Sequence, residues 1–252
     1  MINIKMTSAI SITDLAIKFK TQPHDVLSHF SMEVPINHWT ALLGSSGSGK
    51  TTLLRYLAGL IDNEVTIQGK VKHAYTSPLH QNIAYMSQQD NLLPWLNILD
   101  NILLPFRFSN RNQLTKQRDV AKYLLQQIGL EHTIHWRPNQ LSGGMRQRVA
   151  LARTLIQEKP IVFMDEPFSS LDAVTRCRLQ ELAYQLLEKK SVLLITHDPL
   201  EAIKLATHLY VMRLSPYACS QITLPDTLPL RDLNDQTGAL YKDIIQILGE
   251  KQ

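Results

Sequence analysis

The sequence predicts an α/β fold, and three observations carry that prediction. Strand-sized apolar runs, "PIVFM" and "SVLLIT", each stop at residues able to do chemistry. The stretch "WTALLGSSGSGKTTLLRYLAGL" passes from an apolar strand through small residues into a helix with Leu53, Leu54, Leu57 and Leu60 at helical spacing. Farther on, "QRDVAKYLLQQIGL" has the period of an amphipathic helix, closed by Gly129.

The bulk properties are those of an ordinary globular chain. Its 252 residues are 44% hydrophobic and 19% charged, enough for a large core. No apolar run approaches the roughly 18 residues of a membrane span. The first residues, "MINIKMTSAISITDLAIKF", lack an apolar segment followed by a small-residue cleavage site, so a cytoplasmic location is expected. The net charge of +4 is dispersed along the chain, which argues against nucleic acid as a partner. Cys177 and Cys219 have no metal-ligand spacing, and His132 with His135 do not make a ligand set.

The strand, loop and helix around "GSSGSGKT" meet the pattern G-x-x-x-x-G-K-[ST] in the context it requires. Gly44, Ser45, Ser46, Gly47, Ser48 and Gly49 let the backbone curl so that successive N–H groups face a phosphate, helped by the positive end of the following helix. Lys50 is expected to reach the β- and γ-phosphates of a nucleotide, Thr51 to bind Mg²⁺, and Thr52 to continue the cradle. The run "IVFM" then places Asp165 at a strand's carboxyl end, as a second group for Mg²⁺. Glu166 follows, positioned to polarise an attacking water as a catalytic base. His197, at the end of "SVLLIT", is expected at the same sheet edge beside the γ-phosphate.

Taken in order, "GSSGSGKT", "YMSQQDNLLPW", "LSGGMRQRVALARTL", "IVFMDEPFSSLD" and "LLITHD" resemble the ATP-binding subunit of an ABC transporter over about residues 10–214. The resemblance implies a P-loop NTPase core with a mixed sheet flanked by helices and an inserted α-helical subdomain, ATP and Mg²⁺ as ligands, and a homodimer packed head to tail. In such a dimer Leu141, Ser142, Gly143, Gly144 and Met145 would face the nucleotide held by the other subunit's Lys50. A helix starting after Ser142, capped by its hydroxyl, would direct N–H groups at that anion. The same resemblance makes Gln88 the residue linking Mg²⁺ and the attacking water to the helical subdomain. It makes Ser170, Leu171 and Asp172 a loop that communicates across the dimer, and Phe19 the aromatic stacked on adenine.

The wording "LLPWLNILDNI" is similar to importer ATPases for nitrate, sulfonates, taurine and thiamine-precursor pyrimidines. That similarity implies a peripheral subunit on the cytoplasmic face of a bacterial inner membrane. Its partners would be integral membrane permease subunits and a periplasmic or lipid-anchored substrate-binding protein. Leu92, Leu93, Pro94, Trp95 and Leu96 form an apolar group suited to receive a helix from the permease. An exporter or lipid-handling ATPase, or a soluble ABC protein, is the alternative. The domain expectation is an ATPase domain over 1–214, a helical subdomain at about 90–158 within it, and an extension over 215–252. That extension has turn signals followed by a final helix, "QTGALYKDIIQILGE".

Overall fold

The computed structural model describes residues 7–107, 111–214, 217–232 and 234–249. The chain folds into two compact units. One takes the described residues up to Ile83, Pro160–Asp165 and those from Glu188 onward; the other takes Ala84–Lys159 and Glu166–Leu187.

The first unit holds β1 (Ser8–Phe19), β2 (Leu27–Pro35), β3 (Trp39–Gly44) and β4 (Val65–His73). Strands β2, β1 and β4 form an antiparallel sheet in that order. Phe30, Met32 and Val34 alternate inward on β2 while Ser31 and Glu33 face solvent, the pattern of a sheet with one covered face. A larger sheet runs through β6 (Ile161–Asp165), β7 (Ser191–Thr196), β3, β8 (His208–Leu214) and β9 (Tyr217–Ile222). Strands β6, β7, β3 and β8 are parallel, and β9 returns antiparallel to β8. Every residue of β3, β6 and β7 is buried, which explains why these segments are continuous apolar runs rather than alternating ones.

The α-helices described in this unit are α1 (Lys50–Leu57), α6 (Pro199–Leu205) and α7 (Asp235–Gly249). The Leu spacing predicts a helix that includes Leu60, but α1 stops at Leu57 and Leu60 is exposed. Gly59, at φ 71°, lets its N–H reach the Tyr56 carbonyl and the Leu60 N–H the Arg55 carbonyl, which ends the helix. The segment expected to be turns before the last helix contains β9. Its Ser220 and Gln221 are exposed, so the strand comes from pairing with β8 rather than from an apolar pattern. Helix α7 inserts Ile244 into a core with Ala41, Leu43, Ala202, Ile203, Leu209 and Val211.

Strand β5 (Ile83–Met86) leads into the second unit, which contains α2 (Ile98–Ile102), α3 (Arg111–Gln127), α4 (Gly143–Leu155) and α5 (Ala173–Leu186). Helix α4 packs against α2 and α3. Its Val149, Ala150, Leu151 and Ala152 are buried, as are Ile98, Leu99, Ala121, Leu124 and Leu125. Helix α3 ends before Gly129, whose N–H bonds to the Gln126 carbonyl while that of Leu130 bonds to Leu125. Glu166–Leu187, with α5, belongs to this unit as well. No described helix is long and apolar enough to cross a membrane.

Candidate functional site

In the first unit the loop between β3 and α1 is shaped by two glycines that admit no side chain. A Cβ on Gly44 would lie 2.9 Å from the Met212 carbonyl oxygen and 3.1 Å from Ser48 Oγ. Gly49 sits at φ 90°, and its Cβ would lie 2.8 Å from Leu27 Cδ2 and 2.9 Å from the Val26 oxygen. The loop is therefore pressed between β8 and the start of β2, and any larger residue would push it out of shape. Lys50 is buried, with its Nζ donating to the carbonyls of Gly44 (2.8 Å) and Ser45 (2.7 Å) and to Ser48 Oγ (3.1 Å). These acceptors offset the cost of removing an ammonium from water. A phosphate, being anionic, offers the same donors a stronger partner.

The start of α1 is prepared for such an anion. Gly49 is its N-cap and brings no side-chain acceptor to the first-turn N–H groups. Ser45 is half-buried, Ser46 and Gly47 are exposed, Ser48 is fully buried, and Thr51 and Thr52 reach the surface to different degrees. Strand register then aligns the chemistry. Leu43 of β3 pairs with Thr196 of β7, and Asp165 of β6 pairs with Ile195. The phosphate loop, Asp165 and His197 consequently leave the same carboxyl edge of the sheet, the edge where parallel α/β sheets bind ligands. Helix α1 packs against β6, so the helix of Thr51 lies along the strand of Asp165. Asp165 is 1% exposed and His197 is exposed. Phe19 is half-buried at the end of β1, opposite Val65; the β1–β2 turn that follows it supplies the Val26 and Leu27 contacts to Gly49.

A hydroxyl from Thr51 and a buried carboxylate from Asp165 are hard oxygen donors, the set that suits Mg²⁺. Among the described residues no group of three or more His, Cys, Asp or Glu could hold a metal. His132 packs edge-on against Trp136 with ring centres 5.6 Å apart, and both His132 and His135 are exposed. Cys177 is exposed; burial pushes the Cys219 thiol up to about 12.

The second unit assembles the other candidates around Glu166. This residue has φ 48°, a left-handed conformation that costs a non-glycine residue of order 1–3 kcal/mol. Its side-chain Oε2 accepts a hydrogen bond from Gln88 Nε2 at 3.0 Å. Its carbonyl accepts from Gln147 Nε2 and from Ser169 Oγ, each at 3.1 Å. Gln147 also accepts a hydrogen bond from the Ser170 hydroxyl and one from the Ser170 N–H at 3.3 Å. One buried amide on α4 thus pins Glu166 and the "SSLD" loop together. Sequence reasoning missed Gln147; a polar residue on the inward stripe with Ala150, Leu151 and Thr154 was the available signal.

Two arginines of α4 tie the stretch after Gln88 to the same helix. Arg146 Nε contacts Asp90 Oδ2 at 2.9 Å, and its Nη1 donates to the Leu141 carbonyl at 2.9 Å. Arg153 donates to the carbonyls of Asp90 (2.5 Å) and Asn91 (2.8 Å). Burial pulls the Arg153 guanidinium below its ordinary value, with the Asp90 charge opposing. Leu141 is buried, and Ser142 caps α4 by accepting from the Met145 N–H at 3.3 Å. Gly143 and Gly144 open the helix. A Cβ on Gly144 would lie 3.2 Å from Leu171 Cδ2, so the "SSLD" loop covers that side. Asp172 caps α5 by accepting from the Thr175 N–H at 3.0 Å, and that backbone bond holds its carboxyl below the usual range. Phosphate loop, Asp165, His197 and Phe19 therefore belong to one unit; Gln88, Glu166, residues 141–145 and residues 170–172 belong to the other.

Residues 27–169 match the ABC transporter family. The chain is 42% identical over 248 residues to an ABC transporter ATP-binding protein of Haemophilus influenzae, covering 96% of this chain and 100% of that one. It is 37% identical over 247 residues to an aliphatic sulfonates import ATP-binding protein of Paracoccus denitrificans, covering 97% and 95%. Among solved structures it matches a dimeric bacterial ABC transporter cassette at 29% identity and TM-score 0.69, covering 80% of this chain and 93% of that one. A metal-chelate type ABC transporter in an inward-facing conformation shares the fold, at 22% identity and TM-score 0.72, over 97% of this chain and 89% of that one.

Proposed function

Because the chain belongs to the ABC transporter family as an ATP-hydrolysing subunit, we propose that it powers bacterial uptake of a small organic sulfonate through a separate permease. The observation that carries the cargo class is near full-length similarity to proteins named as aliphatic sulfonate import ATPases, at 37% and 36% identity. The ATPase domain in this reading spans 1–214, with a helical subdomain at about 90–158 and a C-terminal extension over 215–252.

ATP binds with its phosphates in the loop from Gly44 to Thr52, and Lys50 leaves the Gly44 and Ser45 carbonyls for the β- and γ-phosphates. Phe19 offers a π face to the adenine. Thr51, Asp165 and Gln88 would hold Mg²⁺, which would supply charge neutralisation on the phosphate oxygens. Glu166 orients and polarises the attacking water, and Gln88, already bonded to its carboxylate, reports that water's environment to the helical subdomain. His197 contacts the γ-phosphate from the end of β7.

The second nucleotide contact comes from another copy of the chain. A Cβ on Gly143 would meet nothing nearer than Arg146 Nη2 at 3.9 Å, and its φ is not positive. Its own fold leaves room there for a side chain, and a bare glycine lets the other subunit's phosphates approach the backbone closely. Ser142, Gly144 and Met145 complete that surface over the buried Leu141, and Ser170, Leu171 and Asp172 carry its state across the homodimer.

The load attaches near Trp95. Leu92 and Leu96 are buried and anchor the loop, whereas Pro94 is exposed and Trp95 is 67% exposed, an apolar face suited to a permease helix. The protein then sits peripherally on the cytoplasmic face of the inner membrane, and a periplasmic or lipid-anchored binding protein delivers the sulfonate. The test is detergent extraction of the tagged chain from its host with mass-spectrometric identification of what co-purifies. A permease, with a binding protein that takes up alkanesulfonates in calorimetry, is expected. A membrane exporter, ribosomes or DNA in its place would overturn the reading.

A further inference from the structure

His197 is immediately followed by a helix too short to hold itself. Helix α6 has seven residues, well below the length at which an isolated helix is stable in water. Its start is self-sufficient: Asp198 Oδ1 accepts from the N–H groups of Leu200 (2.9 Å) and Glu201 (3.4 Å), with Pro199 at the first helical position. Asp198 also donates its own N–H to Thr196 Oγ1 at 3.0 Å, which closes the turn around His197.

The end of α6 is completed by the C-terminal segment. Arg231 Nη1 donates to the carbonyls of Ile203 (3.0 Å) and Ala206 (2.6 Å), and Nη2 donates to that of Pro225 (3.2 Å). The Lys204 carbonyl accepts from the N–H groups of Leu230 (2.7 Å) and Arg231 (3.3 Å). These are terminal carbonyls that a helix cannot satisfy by itself, and a guanidinium there also complements the negative end of the helix dipole. Leu230 is held at φ 67°, a left-handed conformation unfavourable for leucine, so the surrounding contacts over-determine this turn. On its buried side α6 packs Ala202 and Ile203 against the same core that receives Ile244 of α7.

We infer that Arg231 is a positioning residue for ATP hydrolysis: it clamps the far end of α6 and thereby fixes His197 at the near end. This rests on the reading of His197 as the γ-phosphate contact. The C-terminal extension in consequence serves the catalytic edge of the sheet. Removing the fork frees α6 to shift along its own axis, and a misplacement of about 1 Å at a reacting group is enough to lower turnover by one to two orders of magnitude. Nucleotide affinity, set by the phosphate loop, stays unchanged.

The experiment measures steady-state ATP turnover of the purified full chain for wild type, Arg231→Ala, Arg231→Lys, His197→Ala and the double variant Arg231→Ala/His197→Ala. Arg231→Ala is expected to lower kcat about tenfold, with KM for ATP within about twofold of wild type. Arg231→Lys, which keeps a cation and N–H donors for the Ile203 and Ala206 carbonyls, is expected to restore most of the loss. In the His197→Ala background, Arg231→Ala should cost nothing further. An equal loss in both backgrounds would overturn the inference, because Arg231 would then act by another route. Wild-type turnover by His197→Ala alone would sink the reading of His197 instead, and the single variant distinguishes the two failures. Should Arg231→Ala not fold, Arg231→Met with and without His197→Ala makes the same comparison.

Discussion

Two glycine-containing loops of this chain lead into helices, and they differ in how tightly the fold surrounds the glycines. In the phosphate loop the requirement is internal: Gly44 and Gly49 are hemmed in by Met212, Val26 and Leu27, and Lys50 is wrapped onto the loop's own carbonyls. In the "LSGGM" loop Gly143 has space around it, and the helix start is already capped by Ser142. The first loop is fixed in shape by the strands around it. In the second, Ser142 caps the helix and Gly144 makes room for Leu171, and only Gly143 is small without need in its own fold. The contrast teaches that crowding explains a glycine from within the fold, whereas spare room leaves its reason to be sought by experiment.

The largest effect expected concerns neither glycine loop but Glu166, the proposed catalytic base. Glu166→Gln removes the carboxylate while keeping a group able to bond to Gln88. It is expected to lower ATP turnover by about 10²- to 10⁴-fold with ATP binding intact. Turnover near wild type, measured by phosphate release, would mean that another group polarises the water.

The glycine contrast can be broken directly by comparing Gly49→Ala with Gly143→Ala. A methyl at residue 49 meets Leu27 and Val26 and sits at positive φ, so a loss of roughly 2–4 kcal/mol in folding stability is expected. At residue 143 stability should stay within about 0.5 kcal/mol of wild type or rise slightly, since alanine is the better helix residue. Turnover should nevertheless fall about tenfold through the displaced partner surface. Denaturant melts and ATPase rates separate the two cases; equal stability losses would erase the distinction.

Much of this was legible in the sequence because it depends on local spacing. A strand, six small residues and Lys50 describe a loop whose shape is set within a few residues, and buried parallel strands announce themselves as apolar runs. What escaped is long-range. Gln88 and Glu166 meet across 78 positions, Gln147 joins Glu166 to Ser170, and Arg231 reaches back to Ile203 and Ala206. None of these pairs has a period or a motif. Strand β9 was hidden for the same reason, its hydrogen bonds being supplied by β8. The left-handed conformation of Glu166 was also unreadable, since local preference argues against it and only the surrounding bonds enforce it.

A smaller effect is expected at the cap of the second loop. Ser142→Ala removes the acceptor for the Met145 N–H and should cost about 1 kcal/mol of stability. A loss below a few tenths would show that solvent satisfies that N–H equally well.

The last comparison sets this hydroxyl cap against the carboxylate cap of α5. Asp172 accepts from the Thr175 N–H, and that backbone bond holds its carboxyl below the ordinary value of 3.8. A carboxyl depressed on folding stabilises the fold above its unfolded value, and that contribution disappears as pH falls through the lower folded value. The stability gap between wild type and Asp172→Ala should therefore be full at neutral pH and close progressively below about pH 4. The gap for Ser142→Ala should stay constant over the same range, because a hydroxyl does not titrate there. Denaturant midpoints measured from neutral to acid pH read both gaps at once. If the Asp172 gap proves as insensitive to pH as the Ser142 gap, the carboxylate's charge contributes nothing to its cap, and the two helix starts are held by the same kind of neutral hydrogen bond.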